Sequence, residues 1–218
     1  MRNLINEDFT NLVPNTFMTE NVSLFLYSLI KCVRPYKILE VGFGYSTLFI
    51  AKAIDDIRKE DITKESFFTP EKITEGHWVH SGPTYIPDFT CVDSRQIMGC
   101  NPNVKVFEDE ELIQYVNIVE TDFRYFLDNT DGNYDLIWLD FGPPTTHEYK
   151  QYYKSVMKRL NPGGSIVIHS TVSNYVARLF LTELKLELKG NSDIELMTFV
   201  EPHKKQQSSF TIIKKNVD

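Results

Sequence analysis

Lys37-Ile38-Leu39-Glu40-Val41-Gly42-Phe43-Gly44-Tyr45-Ser46-Thr47 is an apolar run that ends in an acid and passes directly into two close glycines. It reads as a buried strand, a tight turn and a helix over residues 46–58. The turn needs glycine where backbone approaches a ligand closely or takes a positive φ. The helix that follows aims its unpaired N–H groups at the same place. A Gly-x-Gly pair alone fits a bare turn better than a ligand site. Glu40 narrows the choice, because a carboxylate at the strand's C-terminal end accepts hydrogen bonds from a ligand and repels a pyrophosphate. The dinucleotide fingerprint also places its third glycine at Thr47, where a side chain fills the space needed for close helix and strand packing.

Outward from this stretch, the chain keeps a strand and helix rhythm. Upstream, residues 1–18 are mixed and broken by Pro14, and Thr19 caps a helix to about residue 33, which Pro35 ends. Val22, Phe25, Leu26, Leu29, Ile30 and Val33 recur at three and four, giving that helix one buried face. Residues 1–35 therefore read as an N-terminal helical cap, over ligand or simply over core. Downstream, residues 61–87 are polar and irregular, and the next strand, 89–92, ends at Asp93. An acid there is expected about 20 residues past the glycines, and the longer gap marks 61–87 as an insertion of the kind that forms lids or binding loops. His77 and His80 lie in it without a third ligand, which favours packing or substrate contact over a metal. Further strands are read at 115–119, 134–139, 165–168, 193–200 and 208–213, the last two as a hairpin. The expectation is one α/β domain over residues 1–218. Its core is a doubly wound, mostly parallel seven-stranded sheet with an antiparallel C-terminal hairpin and helices on both faces.

Composition sets bounds on function. The 218 residues are 42% hydrophobic and 24% charged, with a formal net charge of −7. That is ordinary for a globular domain and disfavours broad binding to nucleic acid. No stretch approaches a membrane span and the first residues lack an apolar signal core, so a cytoplasmic protein is expected. Cys32, Cys91 and Cys100 have no metal-ligand spacing and read as reduced thiols.

The acid followed by Gly-x-Gly after a hydrophobic strand resembles motif I of the class I S-adenosylmethionine (SAM) dependent methyltransferases. The likeness extends from Ile38 to Ile213. Glu40, Asp93, Asp122 and Asp140 each follow a strand, and the resemblance implies that they share SAM, or its product S-adenosylhomocysteine (SAH). It implies contacts from Glu40, Gly42, Phe43, Gly44, Tyr45, Ser46 and Thr47 in the turn. It adds Asp93 and Ser94 at the ribose, Thr121, Asp122 and Phe123 at the adenine, and Asp140 near the methionine portion and acceptor. The ligand's ammonium group falls near Glu40 and the turn carbonyls.

Asp140-Phe141-Gly142-Pro143-Pro144 departs from the Asn/Asp-Pro-Pro-aromatic signature of enzymes that methylate amide or nucleobase nitrogens. His169-Ser170 stands where catechol-type enzymes carry a magnesium-binding Asp-Asn. The resemblance thus implies a metal-independent methyltransferase acting on an O or N nucleophile of a small molecule. His169, closing the fifth strand, and His203, after the sixth, are candidate general bases beside Asp140. Each also reads as an ordinary core or hairpin residue. No metal and no nucleic acid are expected, and a homodimer is left open. The competing readings are a SAM-binding partner subunit without catalysis and a nicotinamide-dependent oxidoreductase.

Overall fold

The structure, a computed structural model, describes residues 19–67, 85–94, 111–201 and 209–217. Helix α1 is Glu20–Val33, followed by strand β1 Lys37–Val41 and helix α2 Tyr45–Phe67. Strand β2 Asp88–Asp93, strand β3 Asn117–Glu120, helix α3 Phe123–Asn129 and strand β4 Tyr134–Leu139 come next. Helix α4 Thr146–Lys158, strand β5 Leu160–His169, helix α5 Tyr175–Glu187 and the hairpin strands β6 Ile194–Val200 and β7 Ser209–Lys215 complete the order. The seven strands form one sheet in the order β3-β2-β1-β4-β5-β7-β6. The first five run parallel, and β7 is antiparallel to both β5 and β6. This is the doubly wound sheet expected, with its switch point between β1 and β4.

The alternation of side chains along each strand sorts the core into two layers. Ile38, Cys91, Trp138 and Val167 face α1 and α2. Leu39, Val41, Val92, Ile137, Leu139, Ile166 and Ile168 face α3, α4 and α5. On α1 the helical repeat puts Val22, Leu26 and Ile30 wholly inside, each contributing on the order of 1.5–3 kcal/mol by leaving water. Tyr27 donates to Asp56 at 2.7 Å, Lys31 pairs with Glu60, and Arg34 holds Asp61 through two bonds of 2.9 and 3.1 Å. Partners that rise in step along both helices show that α1 and α2 run side by side in the same direction.

Most strand boundaries shift by one or two residues from the sequence reading, and two elements differ by more. Helix α2 continues to Phe67, so residues 61–67 are helical although their charged, aperiodic composition reads as loop. Strand β5 begins at Leu160 and takes in the Asn161-Pro162-Gly163-Gly164 turn. Tyr134 pairs with Leu160 and Leu136 with Ser165, so the extra β5 residues bulge, and Gly163 takes a φ of +76° there. Residues 68–84 of the expected insertion, with His77 and His80, lie outside the described residues, as do residues 1–18 and His203.

Helix α1 is fastened over the C-terminal end of the hairpin side of the sheet. Phe25 packs on Phe210 and Phe199 with ring centroids 4.7 and 5.8 Å away, and those two rings stack at 4.9 Å. Asn21 Nδ2 donates to Glu201 Oε2 at 2.6 Å, tying the first turn of α1 to the end of β6. Phe210 is 6% exposed and sits centrally in this group. Phe210→Ala is expected to cost about 3–5 kcal/mol of unfolding free energy in urea titrations. A loss below about 1 kcal/mol is the result that contradicts this packing account.

Candidate functional site

The site follows from strand register. Cys91, Glu40, Trp138 and Val167 are adjacent across β2, β1, β4 and β5. Two residues further along each strand, on the same face, stand Asp93, Gly42, Asp140 and His169. His169 then pairs with Phe210, and Phe210 with Phe199. The C-terminal rim of the sheet therefore displays two carboxylates and an imidazole around a glycine, in the crevice where open α/β sheets bind ligands.

Gly42 permits this convergence. Its φ is +100°, and a Cβ there would stand 2.8 Å from the Asp140 carbonyl oxygen. Gly44 is different: a Cβ there would meet nothing within 4 Å, so its missing side chain leaves open space above the turn. The turn's own N–H groups are used internally. Gly42 donates to the Val92 carbonyl, Phe43 to Asp93 Oδ2, and Gly44 to Thr47 Oγ1, each at 2.9 Å. Thr47, third in the helix, thus caps the residue before its start, which is half of a capping box. Where the dinucleotide fingerprint has a third glycine, this chain has a side chain that holds the turn shut.

Glu40 does not lie at the surface of the site. It is fully buried beneath the turn. Ser46 Oγ donates to Glu40 Oε1 at 2.6 Å, and Trp138 Nε1 donates to Ser46 Oγ at 3.1 Å. Glu40 Oε2 makes no hydrogen bond of good geometry, although the Thr47 hydroxyl and the Cys91 thiol approach closely enough to favour the anion in part. Burial outweighs them, with a smaller push from Asp140, and the carboxyl's pKa is raised to about 8. Cys91 is pushed well above the usual thiol range, first by burial and then by Glu40.

Asp140 and His169 form a pair, with His169 Nδ1 2.8 Å from Asp140 Oδ1. The imidazole side chain is 2% exposed and the carboxylate 34%. The carboxylate is thus the outward member of the pair and the imidazole, a candidate base in the sequence reading, stands behind it. His169 Nε2 is buried without a partner, and the ring lies 5.6 Å from that of Trp138.

The residues expected at the adenine also lie beside β2. Thr121 N donates to the Asp93 carbonyl at 3.0 Å, drawing residues 121–123 beside β2. Asp122 Oδ1 caps α3 by accepting from Arg124 N and Tyr125 N. Phe123 is buried with one face stacked on Tyr152 at 5.5 Å. Ser94 is exposed at the end of β2, while Tyr45 is buried against Phe49. Sequence reasoning missed Trp138, which joins the turn to the Asp140–His169 pair. Its signal was an indole inside an otherwise aliphatic buried strand, since a buried indole N–H needs an acceptor.

A cleft of about 360 Å³ between α3 and α4, lined by Arg124, Gln151, Tyr152 and Lys154 among others, takes in none of Asp93, Gly42, Asp140 and His169. Among the described residues no three His, Cys, Asp or Glu side chains are grouped to hold a metal ion. The residues of the rim fit SAM: an open space over Gly44, a buried carboxyl oxygen lacking a donor, and acids at the ends of β2 and β4.

Comparison with known proteins agrees with this arrangement. A family profile described as a methyltransferase domain matches residues 39–171. Among solved structures, the O-methyltransferase TomG from Streptomyces achromogenes, involved in tomaymycin synthesis and bound to SAM, superposes with a TM-score of 0.64 at 14% identity. It covers 94% of this chain and 83% of that one. An O-methyltransferase from Bacillus cereus in complex with SAH gives a TM-score of 0.62 at 14% identity, covering 93% and 84%. An SAH-bound methyltransferase from Podospora anserina gives 0.61 at 15%, covering 96% and 85%. At these identities the likeness is one of fold. No curated protein matches the sequence. With the profile spanning the turn, the acids at the ends of β2 and β4, and His169, the chain belongs to the methyltransferase domain family and is a SAM-dependent methyltransferase.

Proposed function

We propose that this enzyme methylates an oxygen or nitrogen nucleophile of a small molecule, without a metal ion, with Asp140 facing the acceptor and His169 positioning it. The observation that carries this reading is the half-buried Asp140 carboxylate held through Oδ1 by a buried imidazole at the rim of the sheet. The net charge of −7 supports a small acceptor rather than nucleic acid. No described helix is long and apolar enough to cross a membrane, and a cytoplasmic location is part of the same proposal.

When bound, SAM supplies an electrophilic methyl group on its sulfonium, so no further activation of that carbon is needed. The chain's task is alignment and proton removal. The turn over Gly44 and Asp93 would hold the cofactor, the Asp93 carboxylate accepting from ribose hydroxyls while its Oδ2 keeps the Phe43 N–H. Asp122 and Phe123 border the adenine. With the proton on His169 Nδ1, Asp140 Oδ1 accepts its hydrogen bond, and Oδ2 is left to receive the proton of the acceptor's hydroxyl or amine. His169 holds that carboxylate in one orientation. His203 belongs to the proposal only as a second base from the loop after β6.

Two sets of variants test this. For the cofactor side, Gly44→Ala should leave the thermal unfolding temperature unchanged and weaken SAH by about tenfold or more, a loss near 1.4 kcal/mol. Gly42→Ala should instead destabilise the fold by about 2–4 kcal/mol through its positive φ and the Asp140 carbonyl. Asp93→Asn, which keeps an acceptor for Phe43, should cost SAH about 1.5–3 kcal/mol by calorimetry. Unchanged SAH affinity in both Gly44→Ala and Asp93→Asn removes the turn from the cofactor site.

For the acceptor side, an acceptor is first found by screening phenols, alcohols and amines with methyl-labelled SAM. Asp140→Asn should then lower kcat by about 10²–10⁴, with SAH affinity little changed. His169→Gln should lower kcat less and move the acidic limb of the pH–rate profile. Wild-type rates and pH profiles in both variants contradict the assignment.

A further inference from the structure

Glu40 combines complete burial with an unbalanced set of neighbours. Its Oε1 accepts one hydrogen bond, from Ser46, and its Oε2 accepts none of good geometry. Strand β2 brings the Cys91 thiol beside it and Asp93 above it. Strand β4 brings Trp138 and Asp140, and His169 of β5 is bonded to Asp140. Helix α2 contributes the hydroxyls of Ser46 and Thr47. The acidic side chains near it are Asp93 and Asp140, and no Lys or Arg among the described residues bears on the carboxyl. A buried carboxyl without a cation is held in its neutral form.

Yet this carboxyl lies directly under the turn that holds the cofactor, whose amino end is a cation. We propose that Glu40 is a neutral carboxylic acid in the free enzyme and ionises when the ammonium end of SAM or SAH settles at the turn, so that cofactor binding expels one proton per site. The O–H bond of the Glu40 carboxyl breaks, the proton passes to solvent, and the carboxylate left behind balances the ligand's charge. The inference rests on the cofactor occupying the turn. Its sign is fixed by linkage: affinity for the cofactor rises with pH until Glu40 is ionised in the free enzyme as well, near pH 8, and is level above that. Folding has the opposite sign. The folded chain retains a proton that the unfolded chain gives up above the ordinary carboxylate range, so Glu40 lowers stability progressively between about pH 5 and 8.

The test is calorimetry of SAH binding at pH 7 in buffers of low and high ionisation enthalpy. Wild type should release about one proton per SAH bound, and its affinity should rise about tenfold between pH 6 and 7. Glu40→Gln, which keeps an acceptor for Ser46, should release none, give a flat affinity profile, and lose the stability decline between pH 5 and 8. Asp140→Asn, by removing one acid that raises Glu40, should move the midpoint of the affinity profile to lower pH. SAH binding without proton release, the same release from Glu40→Gln, or an unmoved midpoint in Asp140→Asn overturns the proposal while leaving the cofactor site standing. Should Glu40→Gln fail to fold, the wild-type proton count and the Asp140→Asn midpoint still decide it. No SAH binding by wild type at all overturns the cofactor reading itself.

Discussion

The ends of β1 and β4 meet within contact distance at a single residue that has no side chain. A Cβ on Gly42 would lie 2.8 Å from the Asp140 carbonyl, and φ there is +100°. Because that space is clear, the Asp140 N–H reaches the Val41 carbonyl at 3.0 Å and the Gly42 N–H reaches the Val92 carbonyl at 2.9 Å. Three strand ends are thereby locked in register, which stations Asp93 and Asp140 on either side of the turn. The turn then closes on itself through Asp93 and Thr47. A site whose backbone donors are already satisfied does not have to order itself around a ligand, so less of the binding free energy is lost to immobilising it.

Beneath the turn runs a buried polar chain, from Trp138 to Ser46 to Glu40, with the Trp138 ring against His169 and His169 bonded to Asp140. It links the glycine turn to the Asp140–His169 pair through one indole. Networks of this kind are strong where every member is bonded and costly where one is not. The unpartnered Glu40 Oε2 and His169 Nε2 are the two places in it where a hydrogen bond is missing.

Much of this was readable from residues alone, for identifiable reasons. Strand β4 stands out because Tyr134 to Leu139 is apolar on both faces between polar breaks, and its limits match the sequence reading residue for residue. The turn was legible because few residue patterns place an acid and two glycines at a strand end. Side-chain direction was not. Glu40 and Asp93 occupy similar sequence contexts, yet Glu40 falls one pleat below the rim and is sealed by Ser46 and Trp138 from two other elements. His169 and Asp140 were correctly placed side by side, but which of them faces outward depends on packing against Trp138 and Phe210, long-range contacts that no local pattern encodes. Helix α2 ran past its expected end because its last turns lack the apolar periodicity that marks a helix in sequence.

The account stands or falls on where the cofactor lies. A crystal structure of the SAH complex is its most direct measurement. The predicted result is SAH over Gly44 between the ends of β1 and β4, with ribose hydroxyls on the Asp93 carboxylate and the sulfur facing Asp140. Fully occupied SAH elsewhere, or at the rim with Asp93 making no contact to the ribose, contradicts it.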